Sequence, residues 1–351
     1  MRDARQHFRF FGKVAMAASP IVLIALAELF LLPPYFFTFR MWEALVFHHR
    51  DGCEVGFFYP NQRQRMTEVG DLAAHTDGAV KKDVEWITDS HGYRNAEKDL
   101  SRVEVVLVGD SNVAGSSLTQ KDTLASRLER ELGRSVYAYA PGDMGPYFDF
   151  QAKHGMRPRV VVFEQMERYV EVLPELTSAS YSARDCSVPL PWRMLYDRVR
   201  SPLVFNFLDS RLVPRFKRPP QPTRDGMYFL QGTGGLADPT DAVLETAVTR
   251  ILAYRDRVET TGARFVFLPV PNKETVYWDF LGANAPRAFL PRLTRELQRR
   301  GIVVVDLQSA FLAARRDRPE RHLYQLDDTH WNPEGVAIAA GLVTAQLRTK
   351  L

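Results

Sequence analysis

Two short polar motifs, far apart in the sequence, contain the residue types of a serine nucleophile and its base. The stretch GDSN at residues 109–112 follows an apolar run and places Ser111 before an amphipathic stretch. A serine hydroxyl is a poor nucleophile unless a base lies beside it. The stretch DDTHW at residues 327–331 contains such a base, His330. We therefore predict that Ser111 is a nucleophile and that His330 is its general base.

The histidine motif also offers two carboxylates to orient the base. Asp327 stands three residues before His330, and Asp328 stands two residues before it. A carboxylate at either position on a loop can accept a hydrogen bond from one imidazole nitrogen, which leaves the other nitrogen to take the serine proton. The residues alone leave both aspartates open.

Short β-branched runs alternate with helical patterns around these motifs. The runs predict strands at residues 103–108, 136–140, 160–163, 264–270 and 301–307. Helices are predicted at residues 121–132, 239–260, 286–300 and 333–348. This alternation is typical of an α/β fold with a parallel sheet covered by helices on both faces, whose active site lies at the carboxyl ends of the strands. Ser111 falls at such a strand end.

The amino-terminal segment is apolar and long enough to cross a membrane. Residues 14–32 form a run of about 19 mostly apolar residues, which spans about 28 Å as a helix. Basic residues precede it, so the positive-inside rule keeps the amino end in the cytoplasm. We predict a single-pass anchor in a bacterial inner membrane, with the catalytic domain in the periplasm. A cleavable signal peptide and a buried core helix are the alternatives. Glu28 is costly in lipid and is expected to snorkel or to meet a partner helix.

By composition the chain divides into three parts. Residues 1–40 are predicted to be the cytoplasmic tail and anchor, residues 41–100 a connecting region, and residues 101–351 the catalytic domain. An insertion at about residues 171–236 is rich in Pro, Arg and aromatic residues. Because a structureless loop of that length is unusual in a compact domain, we predict a cap that shapes the substrate site. A variable surface insertion is the alternative.

Charge and cysteine content narrow the classes of function. The formal net charge is +4, and this weak, dispersed charge does not favour nucleic acid as a partner. The sequence has no zinc-type Cys/His spacing, Walker loop or GxGxxG motif, so we predict chemistry without a metal or an organic cofactor. Cys53 and Cys186 either form one disulfide or stay as two separate thiols.

With these motifs the chain resembles the SGNH (GDSL-like) hydrolase superfamily over roughly residues 89–349. Residues 109–111 resemble its nucleophile block, PGD at residues 141–143 its second block, and residues 327–330 its final block. The resemblance implies a three-layer, flavodoxin-like parallel sheet (the SGNH hydrolase fold).

The resemblance also implies an oxyanion hole. In the superfamily, amides equivalent to those of Ser111 and Gly142 donate to the oxyanion. An asparagine in the third block usually adds a further donor, but here the third strand ends in EQMER at residues 164–168. Gln165 or Arg168 is the candidate substitute.

Three stretches narrow the resemblance to the alginate O-acetyltransferase type. These are FEQMERY at residues 163–169, PVPNKETVY at residues 269–277 and DTHW at residues 328–331. In those enzymes the Asp-x-His motif precedes the serine, whereas here it follows the serine. The resemblance implies transfer of acetyl groups to an exported polysaccharide, for which a multi-pass membrane O-acyltransferase often supplies the acetyl group.

This narrower resemblance also bears on individual residues. It favours Asp328 as the orienting carboxylate and leaves Asp327 as a cap of the final helix. Lys273 and Tyr277 follow the fourth predicted strand, near the predicted active edge of the sheet, and are therefore candidates for binding a glycan hydroxyl or carboxylate. An exposed lysine and a core tyrosine are the alternative.

The motifs thus favour an O-acetyltransferase that works through an acyl-serine intermediate. One alternative is an extracytoplasmic carbohydrate esterase or deacetylase with the same Ser-His-Asp triad, because water and sugar hydroxyls compete for the same acyl-enzyme. Another is an inactive glycan-binding subunit of an export complex, because the third block is altered.

Overall fold

Five parallel strands form the central sheet, and a separate antiparallel hairpin precedes them. The hairpin pairs β1 (Arg63–Glu68) with β2 (Lys82–Ile87). The sheet has the order β4-β3-β5-β6-β7. Its strands are β3 (Val105–Val108), β4 (Val136–Tyr139), β5 (Val160–Met166), β6 (Arg264–Val270) and β7 (Val303–Val304). The predicted α/β fold with a parallel sheet is confirmed.

The helices connect the strands and flank the sheet. In chain order they are α1 (Arg2–Phe30), α2 (Met41–Leu45), α3 (Ser111–Ala114), α4 (Leu124–Leu132), α5 (Met144–Lys153), α6 (Glu167–Val170), α7 (Leu190–Arg200), α8 (Leu203–Leu212), α9 (Asp241–Glu259), α10 (Lys273–Val276), α11 (Phe289–Arg299), α12 (Leu307–Asp317) and α13 (Pro333–Arg348).

The computed structural model describes residues 2–50, 55–74, 76–176, 188–212, 223–230 and 237–348. Within these ranges, side chains are described except at residues 2–9 and 209–212. The prediction about Cys53 and Cys186 lies outside the described residues, as does part of the insertion.

The sheet separates two apolar cores, which gives the fold three layers. Alternate residues of a strand point to opposite faces. Val105 and Leu107 of β3 accordingly belong to the core that contains α4, α12 and α13. Val106 and Val108 belong to the core that contains α5, α9 and α11. All four residues are buried, which explains why β3 is a continuous apolar run.

The last predicted strand is much shorter than its apolar run suggests. Only Val303 and Val304 pair with β6, although the prediction covered residues 301–307. Asp306 ends the run because its side chain accepts a hydrogen bond from the Ser309 amide and thereby caps α12. Helix α12 was not predicted.

The predicted connecting region is part of the folded domain. It contains the hairpin, and Met41, Phe58 and Trp86 are buried in the same core as β3 and α13. The weak periodicity of residues 41–100 arises because short elements with mixed exposure make up this region.

Helix α1 contains the candidate membrane span. Residues Phe10–Phe30 have a mean hydropathy of 1.9 and are long enough to cross a bilayer. By length and composition alone, a signal sequence near an amino terminus also fits. The side chains of this stretch are largely exposed, and α1 contacts α7 and α8 of the insertion.

Candidate active site

Ser111 begins α3 directly beyond the carboxyl end of β3. Asp110 caps this helix, because its carboxylate accepts a hydrogen bond from the Asn112 amide at 2.8 Å. The other Asp110 oxygen accepts from the Met166 amide at 3.0 Å, at the end of β5. The aspartate of the GDSN stretch therefore fixes the serine-bearing turn to the neighbouring strand.

His330 lies on the loop before α13 and contacts the serine directly. Its Nε2 is 2.7 Å from the Ser111 Oγ. Its Nδ1 is hydrogen-bonded to the Asp328 carboxylate, which also accepts from the His330 backbone amide at 3.1 Å. The structure therefore brings together Ser111, His330 and Asp328 in the arrangement that lets an imidazole take a serine proton.

The second oxygen of Asp328 is held by a serine that the sequence did not single out. Ser117 donates its hydroxyl to Asp328 at 2.6 Å and is buried. Burial opposes ionisation of Asp328, but the charge of His330 and its hydrogen bond hold the pKa of Asp328 well below its usual value. Ser117 has a left-handed backbone with φ of 61°, and this turn aims the hydroxyl at the aspartate.

Asp327 has a different role from the one predicted. Its buried carboxylate pairs with Lys82 at 2.6 Å and accepts from the amides of Gly70 and Val80 at 2.7 and 2.8 Å. It therefore fastens the segment around the hairpin to the loop at residues 323–330, which we call the histidine loop. The predicted helix cap is wrong, because the side chain of Asn332 accepts from the first amides of α13.

Gly142, the predicted oxyanion donor, is already engaged. Its amide donates to the carbonyl of Gly109 at 2.9 Å, so it is not free for a substrate oxygen in this structure. A side chain at Gly142 would meet the ring of Tyr139 at 2.5 Å, which explains the glycine. The amide of Ser111, by contrast, has no acceptor within the described part of the chain.

The two substitute donors lie in different surroundings. Gln165 is on the wall of the cavity that Ser111 also lines. Arg168 is directed to Asn272, whose side-chain oxygen accepts from its amide and guanidinium at 3.4 and 3.5 Å. Gln165 is therefore the better placed of the two. Glu164 is buried and accepts from the Asp110 amide at 3.0 Å, and burial raises the pKa of Glu164 well above its usual value.

Lys273 and Tyr277 hold the histidine loop from inside the core, which corrects their predicted role in substrate binding. The Lys273 ammonium donates to three carbonyls within residues 325–328, at 2.6 to 3.1 Å. The Tyr277 hydroxyl accepts from the Leu323 amide at 2.9 Å. Both side chains are buried, and burial lowers the pKa of Lys273 to about 8. Neither residue lines the cavity beside Ser111 within the described chain.

Substitution of Lys273 by methionine is expected to lower the free energy of unfolding by about 2 kcal/mol, because three backbone carbonyls, of which that of Asp328 is buried, lose their donor. Urea unfolding of both proteins measures this difference. Lys153→Met is the matched control, since Lys153 lies on the cavity wall, and we expect it to cost less stability. An unchanged stability of Lys273→Met together with a raised KM would instead support direct substrate binding.

A second carboxylate lies beside the histidine and was missed by sequence reasoning. Asp71, Asp328 and His330 each place one potential ligand atom within 4.8 Å of the others. Burial, together with the Asp328 charge, raises the pKa of Asp71. Arg40 pairs with Asp71 at 3.2 Å. This cluster has the residue types of a metal site, but the Asp328 and His330 atoms also bind each other, which fits an aspartate that orients the histidine better.

Two buried polar side chains from the turn at residues 89–95, Arg94 and Asn95, hold the elements around Ser111 in place. The Arg94 guanidinium donates to carbonyls at the end of α3 and in the loop after it, including Ala114 at 3.1 Å and Leu118 at 2.6 Å. It also stacks over Trp86 at 3.6 Å. Asn95 bonds both the amide and the carbonyl of Ala138 in β4. Only the tertiary structure shows that these two residues stabilise the elements next to Ser111 at the edge of the sheet.

A cavity of about 830 Å³ opens at Ser111. Its wall includes both aromatic rings and charged side chains: Trp42, Phe57, Tyr93, Tyr139, Phe150, Tyr169, Arg50, Asp149 and Lys153. Of the predicted cap, the described chain contributes only residues 172–174 to this wall. Helices α7 and α8 contact α1 instead, so the described part of the insertion does not cover the site.

The pKa of His330 predicts how kcat/KM falls at acid pH. Burial opposes protonation, but the charge and hydrogen bond of Asp328 raise the pKa of His330 above its usual 6.5. The base must be neutral, so kcat/KM should fall as the pH drops through a midpoint above 6.5. By the same linkage, protonated His330 beside ionised Asp328 stabilises the fold fully just below pH 6.5, and this contribution is lost as the pH rises through the raised pKa of His330. Measurement of kcat/KM between about pH 5 and pH 9, a range that includes the usual histidine pKa, gives the midpoint of the acid limb. A midpoint below 6.5 would contradict the raised pKa of His330.

Comparison with known protein sequences supports the resemblance to SGNH-type acetyltransferases. Residues 225–351, which contain His330 and Asp328, match a family model described as SGNH hydrolase-like domain, acetyltransferase AlgX. A stretch of 104 residues is 29% identical to the probable alginate O-acetylase AlgJ of Pseudomonas syringae pv. tomato. The resemblance to the SGNH superfamily, in its alginate O-acetyltransferase-like branch, is confirmed.

The extent of the matches differs between the sequence comparison and the structure comparison. The AlgJ stretch is 28% of this chain and 26% of that relative. Among solved structures, a lipase/acylhydrolase from Enterococcus faecalis aligns over 71% of this chain and 97% of its own, with 12% identity and a TM-score of 0.37. A carbohydrate esterase family 2 enzyme from Corynascus thermopiles aligns over 77% of this chain and 72% of its own, with 12% identity and a TM-score of 0.38.

Proposed function

We propose that this protein is an O-acetyltransferase that modifies an exported cell-surface polysaccharide through an acetyl-Ser111 intermediate. The observation that carries the proposal is the 2.7 Å contact between His330 Nε2 and Ser111 Oγ, with Nδ1 held by Asp328. The AlgX-type family model and the AlgJ relative support an enzyme of the esterase or acyltransferase type. The alginate acetylation named for those proteins suggests the polysaccharide acceptor.

The first half of the reaction forms the acyl-enzyme. His330 takes the proton of Ser111 as the serine oxygen attacks the carbonyl carbon of the acetyl donor. The Ser111 amide, with Gln165 on the cavity wall, is placed to stabilise the resulting oxyanion. The bond to the leaving group breaks, and the proton on His330 passes to that group. Gly142 would contribute only if its bond to Gly109 opened.

The second half transfers the acetyl group to the sugar. A sugar hydroxyl gives its proton to His330 as its oxygen attacks the acetyl carbon. The ester bond to Ser111 then breaks, and the serine recovers the proton. The aromatic wall of the cavity favours this acceptor, since the C–H faces of sugar rings pack against aromatic rings.

We also propose that α1 anchors the enzyme in a bacterial inner membrane with the active site in the periplasm. The span Phe10–Phe30 and the basic residues before it support this orientation. A multi-pass membrane O-acyltransferase is the proposed source of acetyl groups, because an enzyme outside the cytoplasm needs a donor carried across the bilayer.

Mass spectrometry with a synthetic acetyl donor tests the function. The full-length protein is incubated with 4-nitrophenyl acetate, with and without deacetylated alginate. We expect one acetyl group on the peptide that contains Ser111, and O-acetyl groups on the polysaccharide when it is present. Acetate release without transfer would identify an esterase. Absence of acetyl-Ser111, of acetylated polysaccharide and of acetate release would identify a binding subunit and would overturn the proposal.

A further inference from the structure

The acidic residue within the apolar helix α1 binds the start of the insertion's second helix. The carboxylate oxygens of Glu28 accept from the amides of Leu203 and Val204 at 2.6 and 3.0 Å. These amides open α8, where the helix has unpaired donors and a positive dipole end. Glu28 therefore meets a partner helix, and α8 is fastened to the same stretch of α1 that is long enough to span a bilayer.

Helices α7 and α8 expose large apolar side chains next to this junction. We call them the insertion surface: Trp192, Tyr196, Val199, Phe205 and Leu208. Trp192 is 65% exposed and Val199 is 57% exposed. Neighbouring exposed apolar groups of this size mark a surface that contacts something other than water. A cleft of about 190 Å³ between α1 and the start of α8 continues this apolar surface.

The position at which α8 meets α1 indicates which part of a membrane would contact the insertion surface. Glu28 lies two residues before the end of α1 at Phe30, which is about 3 Å along the helix axis. Helix α8 therefore begins at the outer end of the candidate span, where hydrocarbon gives way to lipid headgroups. Tryptophan and tyrosine favour this boundary, and Arg198 and Arg200 in the last turn of α7 suit phosphate groups.

We propose that the insertion surface lies in the outer leaflet of the phospholipid bilayer, beside the span formed by α1. The apolar side chains replace water with acyl chains, while the arginines stay at the headgroups. The occupant is lipid because the surface continues the exposed apolar face of α1, which requires the same surroundings.

Helix α7 also connects this surface to the catalytic domain. Asp197 is fully buried and accepts from the His49 amide at 2.7 Å and from the Tyr59 hydroxyl. It also pairs with the His49 ring at 2.6 Å. The segment that carries these residues continues to Arg50 and Phe57 on the cavity wall. The insertion surface would therefore fix the height of the cavity above the membrane.

Spin-label accessibility in phospholipid nanodiscs tests this proposal with the full-length chain. Cys53→Ser and Cys186→Ser remove the native thiols, and Val199→Cys or Phe205→Cys carries a nitroxide. Val172→Cys is the matched control, because Val172 is 72% exposed and lies on the cavity wall. We expect oxygen to relax the labels at 199 and 205 more strongly than a water-soluble nickel chelate does, and the reverse order at 172.

Equal nickel accessibility at all three sites would overturn the proposal, since it would place the surface in water. Protection of 199 and 205 from both reagents would also overturn it, since a protein would then cover them. Trp192 gives a second readout with both native cysteines in place. Lipids brominated on their acyl chains should quench its fluorescence, and this component should disappear in Trp192→Phe. Persistence of the full quenching in Trp192→Phe would contradict the proposal independently.

Discussion

Ser111→Ala is expected to lower the rate of acetyl transfer about 10⁴- to 10⁶-fold, because the variant has no oxygen to carry the acetyl group. The fold should persist, since the hydroxyl lies against His330 at 2.7 Å on the cavity side of α3. Transfer from 4-nitrophenyl acetate to deacetylated alginate, measured beside a thermal unfolding curve, separates loss of chemistry from loss of structure.

Ser117→Ala is the matched control for this experiment. It removes a buried serine hydroxyl of the same site, but one that only donates to Asp328. Loss of one hydrogen bond to a charged group costs about 1.5 kcal/mol, or about a tenfold change in rate. Undiminished transfer by Ser111→Ala, or an equal loss in both variants, would rule out Ser111 as the nucleophile.

Asp328→Asn is expected to lower kcat about 10⁴-fold, because an amide does not hold the imidazole in the tautomer that accepts the serine proton. The acid limb of kcat/KM should also move to lower pH, since the negative charge that raises the pKa of His330 is gone. Steady-state rates as a function of pH measure both effects. A retained rate with an unmoved acid limb would show that Asp328 does not orient the base.

Asp327→Asn separates the two neighbouring aspartates. It leaves the His330 contacts intact but breaks the buried pair with Lys82. Removal of one partner of such a pair costs about 3 kcal/mol of folding free energy. We expect a lower urea midpoint with a nearly unchanged kcat for the folded protein. A large loss of kcat at unchanged stability would mean that the two aspartates share the orienting role.

Lys273 and Asp327 show why sequence patterns assigned some polar residues wrongly. A lysine beyond a strand end is usually exposed, and nothing local reveals that its ammonium group reaches three carbonyls of a loop more than fifty residues away. An aspartate before a helix is usually a cap. Here the partner amides come from residues 70 and 80, and only the folded chain brings them close.

Gly142 and β7 show that sequence patterns also fail to predict the hydrogen-bond partners of backbone groups. The resemblance assigned the Gly142 amide to an oxyanion hole, but whether an amide is free depends on the carbonyl that faces it. The apolar run at residues 301–307 satisfies the composition of a strand. How many of its residues pair depends on β6 and on the cap at Asp306, which starts α12.

The sequence by itself determined the parallel α/β sheet, the serine at the end of β3 and the histidine before α13. These features follow from continuous β-branched runs and from motifs read within a few residues, so local chemistry suffices. Tertiary structure alone decided that Asp328 and not Asp327 contacts His330, that Ser117 and Arg40 support the site, and that Glu28 meets α8. The contacts of Ser117, Arg40 and Glu28 join segments far apart in the chain, so they depend on the packing of the whole domain. Asp328 is only two residues from His330. The choice between the two aspartates still depends on tertiary structure, because the distant residues Gly70, Val80 and Lys82 bind the Asp327 carboxylate.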